Sequence, residues 1–369
     1  MRHYDEAIRS ARAQLAAEAK AFLTPGPRMV DEIECVLSVA LAIVLGHLVG
    51  AKNISWAAFS GFMVMRGHVS ESLRRGILRI IGTALGAAIA VASFPIVAAH
   101  PLALSAALAL IGGCSLYGAL THRYAYGLLF IGLTFAMIVL GYPHSTTELL
   151  AFASSRILEV FAGTTACVLV SMLSTLTLRQ RWPADIRPSP AIAGWHPDAA
   201  RHAGQAALAM ALLPLLHELW RLPELSQAAV SIMAVMMVPV NRLGGGGYLT
   251  VSRRMVLRVF GCACGALLAG ATLLIARGSA PILIAGSLFG VMLGRHIENG
   301  ASPLAYSGTQ FTLAMLVALV PDSYIAPDPD AGIARLGGIV IGLLLLEPVL
   351  AAFHVFSWRR TVEAKDDAP

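Results

Sequence analysis

Charged residues are scarce in this chain. Asp, Glu, Lys and Arg together make up 13% of its 369 residues, and 57% of the residues are hydrophobic. Lysine occurs only at Lys20, Lys52 and Lys365, and the mean hydropathy is +0.72. Soluble domains carry about a quarter of their residues as charges, so this composition excludes an ordinary soluble globule. Many apolar runs approach the length that crosses a bilayer, which predicts an integral membrane protein.

Several motifs that carry chemistry are also missing. The glycine run 244–247 has no Lys-Ser/Thr after it, so it is not a phosphate-binding loop. Acids and histidines do not cluster at metal spacing, and no Cys-x2-Cys pair occurs. The five cysteines lie among apolar residues, which favours small core residues over disulfides or zinc sites: Cys35, Cys114, Cys167, Cys262 and Cys264. We therefore expect no enzyme activity, metal, cofactor or nucleic-acid partner.

One pattern of arginines and glycines is present twice. The pattern Arg-Arg-x3-Arg-x2-Gly-x3-Gly spans residues 74–86 and recurs over 253–265, a shift of 179 residues. A second landmark keeps this register about eighty residues further on, because Arg156 recurs as Arg335 at the same shift. Two landmarks in one register predict a tandem duplication.

The apolar segments divide evenly between the two copies. Those of the first copy are 34–50, 54–65, 77–98, 102–120, 125–142 and 156–178. Those of the second copy are 203–220, 225–240, 256–276, 281–294, 305–320 and 334–357. The predicted fold is an all-α integral membrane protein of about twelve transmembrane helices, built as two tandem six-helix repeats in parallel orientation.

The segments between the apolar runs complete a predicted division into five parts. An amphipathic N-terminal helix on the cytoplasmic membrane surface is expected first, with a partner-binding arm as the alternative. A proline-rich cytoplasmic linker separates the two membrane repeats, and a cytoplasmic tail follows. The five parts are 1–29, 30–178, 179–202, 203–358 and 359–369.

The positions of the basic residues predict the orientation in the membrane. With the N-terminus in the cytoplasm, all but five of the 27 lysines and arginines lie on the inner side. If segment 54–65 did not cross, the arginine-rich loop after it would move outside and this asymmetry would be lost. We therefore predict both termini inside. The five outer residues are Lys52, Arg156, Arg221, Arg277 and Arg335.

Segment 54–65 is short for a crossing, at about 18 Å. The hydrocarbon core is roughly 30 Å thick, and the counterpart segment 225–240 is also short. Short segments at matching positions of two repeats indicate a transport pathway, although a tilted helix that thins the bilayer is the alternative.

Four arginines at helix ends are candidates for an anion path. Arg79 and Arg258 form one symmetric pair, for which snorkelling to the headgroups is the alternative. Arg156 and Arg335 form the other pair. Glu159 lies three residues after Arg156 on the same helix face, which predicts an ion pair. The predicted path also includes Tyr126, Tyr306 and Gln310.

Glu347 lies more than halfway along the last apolar segment, with no basic residue within a turn. The sequence predicts an unpaired carboxyl there, either a proton-coupling group or a neutral side chain bonded to the backbone that Pro348 frees. Glu159 is the second candidate for proton coupling.

The motif Arg79-x2-Gly82-Thr83-x2-Gly86, with the short Trp56 helix before it and Arg156-x2-Glu159 after it, resembles the fusaric acid resistance family. The resemblance spans both halves, although Cys262 replaces the threonine in the second copy. It implies proton-driven efflux of small, often aromatic, organic acids across the bacterial inner membrane, and a periplasmic adaptor partner. Larger members insert a soluble domain where this chain has only the linker 179–202.

Other functions stay open at this point. The related plant malate channels imply a passive organic-anion channel, which would need the arginines but not Glu347. A major-facilitator-type transporter is disfavoured, because the loop 66–74 lacks the Asp-Arg/Lys-x-Gly-Arg signature. A non-transporting scaffold has little reason to keep charged side chains at membrane depth.

Overall fold

The computed structural model describes residues 16–141, 145–184, 194–221, 225–243, 247–300, 302–321 and 330–366, without side chains at 330–333, 335 and 356–366. These residues form helices and no strands. Residues 16–23 are helical, and the remaining helices are α1 (Pro27–Leu48), α2 (Ile54–Val64), α3 (Val69–Val97), α4 (Pro101–Thr121), α5 (Ala125–Val139), α6 (Thr146–Thr175), α7 (Leu178–Arg181), α8 (Pro197–Trp220), α9 (Leu225–Met236), α10 (Tyr248–Ala276), α11 (Ala280–Asn299), α12 (Ala305–Leu319) and α13 (Asp330–Asp366). The prediction of an all-helical fold is confirmed for this part of the chain.

Six helices in the described ranges are long and apolar enough to cross a membrane, namely α3, α4, α6, α10, α11 and residues 336–355 of α13. Four apolar helices are shorter: α2, α5, α9 and α12 have 11, 15, 12 and 15 residues. At 1.5 Å per residue, these four span only about 16 to 23 Å. The chain is therefore a multi-pass membrane protein with short helices among long ones.

Several helices begin well before the apolar segment that predicted them. α3 begins at Val69 instead of 77, and α10 begins at Tyr248 instead of 256. Their first two turns contain Arg74, Arg75, Arg253 and Arg254, which lower the local hydropathy without ending the helix. In addition, α8 begins at 197, inside the segment predicted as a linker. Hydropathy detects the part of a helix that suits lipid, whereas these helices continue beyond it.

The two halves of the chain pack against each other through reciprocal helix pairs. α4 packs along α8, and α11 packs along α1. Within the halves, α3 packs along α5 and α6, and α10 packs along α12 and α13. The largest buried apolar cluster contains Leu116, Phe135, Met210, Met233 and other residues from both halves. A second cluster joins α1, α2 and α6 to α11 and α12.

Glycines allow the closest helix contacts. A Cβ atom added to Gly82 of α3 would overlap the backbone carbonyl of Gly127 in α5. In α10, a Cβ at Gly261 would overlap the carbonyl of Ser307 in α12. Small residues at such positions let helix backbones approach each other within the membrane.

Buried charges join the halves at the end of the bundle where α1 begins, which we call the N-side. Arg295 of α11 donates from Nε to Asp31 Oδ2 of α1 at 2.6 Å, and His296 Nδ1 lies 2.7 Å from Glu32 Oε1. Arg179, in α7, has its Nη2 3.7 Å from Asp31 Oδ1. Arg295 and Glu32 are 4% and 1% exposed. Because little water reaches them, each of these two side chains is stabilised by its polar partner on the other helix instead of by solvent.

Candidate functional site

A cavity of about 1220 Å³ lies between the two halves. Its wall is formed by parts of α2, α3, α4 and α5 from the first half and of α9, α10, α12 and α13 from the second. All four short apolar helices line it. Small-molecule sites occupy roughly 300 to 1,000 Å³, so the cavity has room for a small organic molecule.

One stripe of α10 follows the cavity along nearly the whole helix. Its members recur at steps of three or four residues, from Arg254 to Leu273, over about 28 Å. At the N-side the wall includes the exposed residues Glu71, Arg74 and Arg123, so the cavity meets the surface there. The cavity therefore extends from the N-side surface through much of the bundle.

Positive charge predominates over negative charge in the wall. Among the described residues that line the cavity, Glu71 is the one carboxylate and the arginines number five: Arg74, Arg75, Arg123, Arg254 and Arg258. The rest of the wall is mostly apolar and aromatic, with Phe59, Tyr126 and Phe130 in the first half. This arrangement suits an anion that has an apolar body.

Arg258 lies in the cavity wall and is held by two polar side chains. Its Nη1 donates to Gln310 Oε1 of α12 at 2.5 Å, and its Nη2 donates to Ser231 Oγ of α9 at 3.1 Å. The side chain is 4% exposed. A planar guanidinium fixed in this way can present its remaining donors to a carboxylate.

Arg79 does not form part of the wall, because aromatic side chains separate it from the cavity. Its Nη1 donates to Tyr126 Oη at 3.0 Å, and its guanidinium carbon lies 4.1 Å from the Phe130 ring centroid and 5.7 Å from that of Phe59. Arg79 is 1% exposed. Arg79 and Arg258, which occupy equivalent positions in the two copies of the motif, thus have different surroundings.

The predicted path residues Tyr126, Tyr306 and Gln310 all line the cavity. The guanidinium carbon of Arg75 lies 4.1 Å above the Tyr126 ring, and that of Arg254 lies 4.1 Å above the Tyr306 ring. Cation–π contacts of this kind hold a guanidinium flat against its neighbour.

The sequence prediction did not include Arg75 or Arg254 in the path. Each precedes a paired arginine by four residues and therefore lies on the same helix face, one turn nearer the N-side. The four-residue spacing from Arg254 through Arg258 to Cys262 was the signal that could have identified them.

The loop between α2 and α3 contains a further cation, Arg66. Burial lowers the pKa of Arg66 to about 10, so it remains charged at neutral pH.

Arg156 lies near the opposite end of the bundle, and its predicted ion pair is confirmed. Its Nη1 is 3.0 Å from Glu159 Oε2, and its guanidinium carbon is 4.3 Å from the Trp56 ring centroid. Glu159 is fully buried and also accepts from Ser155 Oγ at 2.7 Å and from the Asn53 backbone N–H at 3.1 Å. These contacts fasten α6 to the start of α2. The side chain of Arg335, the counterpart of Arg156, lies outside the described residues.

Glu347 has no ion pair among the described residues, and its hydrogen-bond partners are side chains instead of the backbone that Pro348 frees. Tyr248 Oη donates to Glu347 Oε1 at 2.8 Å, and Ser252 Oγ lies 3.2 Å from both carboxylate oxygens. Glu347 is half-buried between α13 and α10, away from the residues that line the cavity. The sequence could not reveal these partners, because they come from the first turns of a helix a hundred residues away.

The fold and the cavity define the class of protein. Long apolar helices, short helices around a cavity and cations in its wall describe a multi-pass membrane transporter. Residues 41–170 match the family model described as fusaric acid resistance protein-like. The first half of the chain thus carries a fusaric acid resistance protein-like region, which confirms the resemblance inferred from the motifs of that half. The predicted extension of the resemblance to the second half lies outside the matched residues. No curated protein and no solved structure matches the chain.

Proposed function

We propose that this protein is an efflux transporter for small organic acids, chiefly aromatic ones, in a bacterial inner membrane. The observation that carries the proposal is the cavity between the halves, with five arginines and one carboxylate among its described lining residues and a largely apolar wall. Arginines bind the carboxylate of such a molecule, and the apolar wall accommodates its ring. The name of the matching family, fusaric acid resistance protein-like, is in keeping with this cargo.

We also propose that α1–α6 and α8–α13 are tandem six-helix repeats of parallel orientation, with twelve crossings in all. Equivalent contacts support this division. The overlap of Gly82 with Gly127 in the first half has its counterpart in that of Gly261 with Ser307, and the contact of Arg75 with Tyr126 has its counterpart in that of Arg254 with Tyr306. The reciprocal packing of α4 on α8 and of α11 on α1 is that expected for an axis along the membrane normal.

The proposed orientation has the N-side and both termini in the cytoplasm. It rests on the excess of arginine and lysine in the segments at that end. The cavity then meets the cytoplasmic surface, which suits a protein that collects its cargo inside the cell. A periplasmic adaptor is proposed as a partner from the resemblance alone.

Transport is proposed to be driven by the proton gradient, with Glu347 as the first candidate for the proton site and Glu159 as the second. Tyr248 and Ser252 both can donate to an ionised Glu347, so protonation of this carboxylate would change the contact between α10 and α13. A change of this kind can couple a proton to helix movement. Glu159 has an ion-pair partner in Arg156, which favours a structural role for it.

A passive organic-anion channel is the second candidate function. The observation that favours it is the position of Glu347 outside the cavity wall, which leaves Glu71, at the N-side surface, as the one carboxylate among the described lining residues. Glu347→Gln separates the two functions. A proton-coupled exporter should lose transport against a gradient, whereas a channel should keep downhill flux at the wild-type rate.

The direct test is the accumulation of a panel of aromatic and aliphatic acids by whole cells, with and without the gene, across external pH. We expect cells with the gene to accumulate less of the aromatic acids. Equal accumulation of every acid at every pH would contradict an exporter.

A further inference from the structure

The two copies of the arginine motif can be compared position by position. Arg79 corresponds to Arg258, and Phe130 of α5 corresponds to Gln310 of α12 at a shift of 180. The short helices α2 and α9 align as Ile-Ser-x-Ala-Ala-x-Ser and Leu-Ser-x-Ala-Ala-x-Ser, so Phe59 corresponds to Val230. The structure supports the last alignment, since a Cβ at Gly163 would meet the Ala57 carbonyl and a Cβ at Gly342 would meet that of Ala228.

In the first copy, aromatic rings cover the arginine. Phe130 presents its face to the Arg79 guanidinium at 4.1 Å, and Phe59 lies at 5.7 Å. Tyr126 accepts a hydrogen bond from Arg79 and lies between this arginine and the cavity. The rings stabilise the cation by cation–π contact, and Arg79 is 1% exposed and does not line the cavity.

In the second copy, neither covering ring is present. Gln310 and Val230 occupy the two positions, and Arg258 itself joins the cavity wall. Because arginine only donates, the contact with Arg258 requires the amide oxygen of Gln310, so its NH2 group is left to donate elsewhere. Two kinds of donor therefore meet at one position of the wall.

We propose that the anion site is asymmetric: Arg258 and Gln310, with Ser231 as support, bind the carboxylate of the cargo, whereas Arg79 is a structural cation closed off by Phe130 and Phe59. One site per chain follows. The cargo is a monocarboxylate whose flat apolar body lies against the apolar wall near Leu313 and Leu129. The proposal rests on the proposed function, and it specifies which of two equivalent motifs contacts the cargo.

The test exchanges the covering residues between the copies and measures binding of radiolabelled benzoate to the purified full-length protein in nanodiscs. We expect one equivalent bound by the wild type. Gln310→Phe places a ring over Arg258 and should weaken binding by at least about tenfold, since a charge-assisted contact is lost. Phe130→Gln combined with Phe59→Val should open Arg79 and raise the stoichiometry from one to two.

The combination of all three substitutions should return the stoichiometry to one, now at Arg79. Gln310→Leu removes the amide without adding a ring and should weaken binding several-fold, which keeps the test informative if the phenylalanine variant does not fold. Thermal unfolding of each variant in the absence of benzoate identifies variants that have lost the fold.

Two equivalents bound by the wild type, or wild-type affinity in Gln310→Leu and Gln310→Phe, would overturn the asymmetric site. If cells with the gene still exported aromatic acids in that case, the proposed function would stand and only this inference would fail. If the wild type neither bound benzoate nor lowered the accumulation of any acid, the proposed function would fail and this inference with it.

Discussion

At the scale of single residues, buried cations in this protein are held by partners on their own helix or on a neighbouring one. Glu159 partners Arg156 along one helix, whereas Tyr126 and Phe130 of α5 hold Arg79 of α3. The first arrangement is predictable from the sequence, because residues three apart share a helix face. The second depends on the register between α3 and α5, which the sequence does not specify.

The ion pair of Arg156 and Glu159 gives a prediction about stability. Glu159→Gln leaves the Arg156 guanidinium buried without its counter-charge, which typically costs about 3 to 5 kcal/mol. We expect a clear fall in the thermal unfolding temperature of the purified protein. Glu218→Gln is the matched control, because Glu218 is exposed near the end of α8 and should leave that temperature unchanged. Equal unfolding temperatures for both variants would show that the pair contributes little.

At the scale of helices, close approach at glycine positions the residues of the cavity wall. Gly82 lets α3 contact the backbone of α5, which carries Tyr126 and Phe130. The duplicated motif predicted that these glycines serve helix packing. The sequence underestimated helix length, however, because the arginines in the first two turns of α3 and α10 lower the local hydropathy. Two of them contact α5 and α12 inside the bundle, since Arg75 lies over the Tyr126 ring and Arg254 over the Tyr306 ring.

Gly82→Ala should destabilise the protein, although alanine is the better helix former. The added Cβ would overlap the Gly127 carbonyl and push α5 away from α3. We expect a lower unfolding temperature and weaker expression. The control is Gly204→Ala in α8, where an added Cβ has nothing within 4 Å and alanine gains up to about 1 kcal/mol in helix propensity. Destabilisation by the control alone would contradict the packing role of Gly82.

At the scale of the whole molecule, buried charges at the N-side link α1 of the first half to α11 of the second. Hydropathy ended the tenth predicted segment at 294, although α11 continues to Asn299 and carries Arg295 and His296 into this cluster. The sequence alone could not predict the link, because the partners Asp31 and Glu32 lie more than 260 residues away.

Arg295→Gln and Asp31→Asn should each destabilise the contact between the halves, because each removes the nearest counter-charge of a buried side chain. Among the described residues, only Glu298 would remain as an ion-pair partner beside Arg295, and only Arg179 beside Asp31. We expect the double variant to be less destabilised than the sum of the two single variants, since it removes both charges. Unfolding temperatures in detergent provide the measurement, and Arg253→Gln, at an exposed position of α10, is the control. Strict additivity would show that the two side chains do not interact.

The central claim is that the cavity between the halves carries organic anions, and transport by the purified protein tests it most directly. The measurement is the efflux of benzoate and of uncharged benzamide from proteoliposomes, for the wild type and for Arg258→Gln. We expect the wild type to raise benzoate efflux above that of protein-free liposomes, benzamide efflux to stay at the protein-free rate, and Arg258→Gln to lower benzoate efflux. Benzoate efflux no faster than that from protein-free liposomes, or equal acceleration of both compounds, would contradict the account.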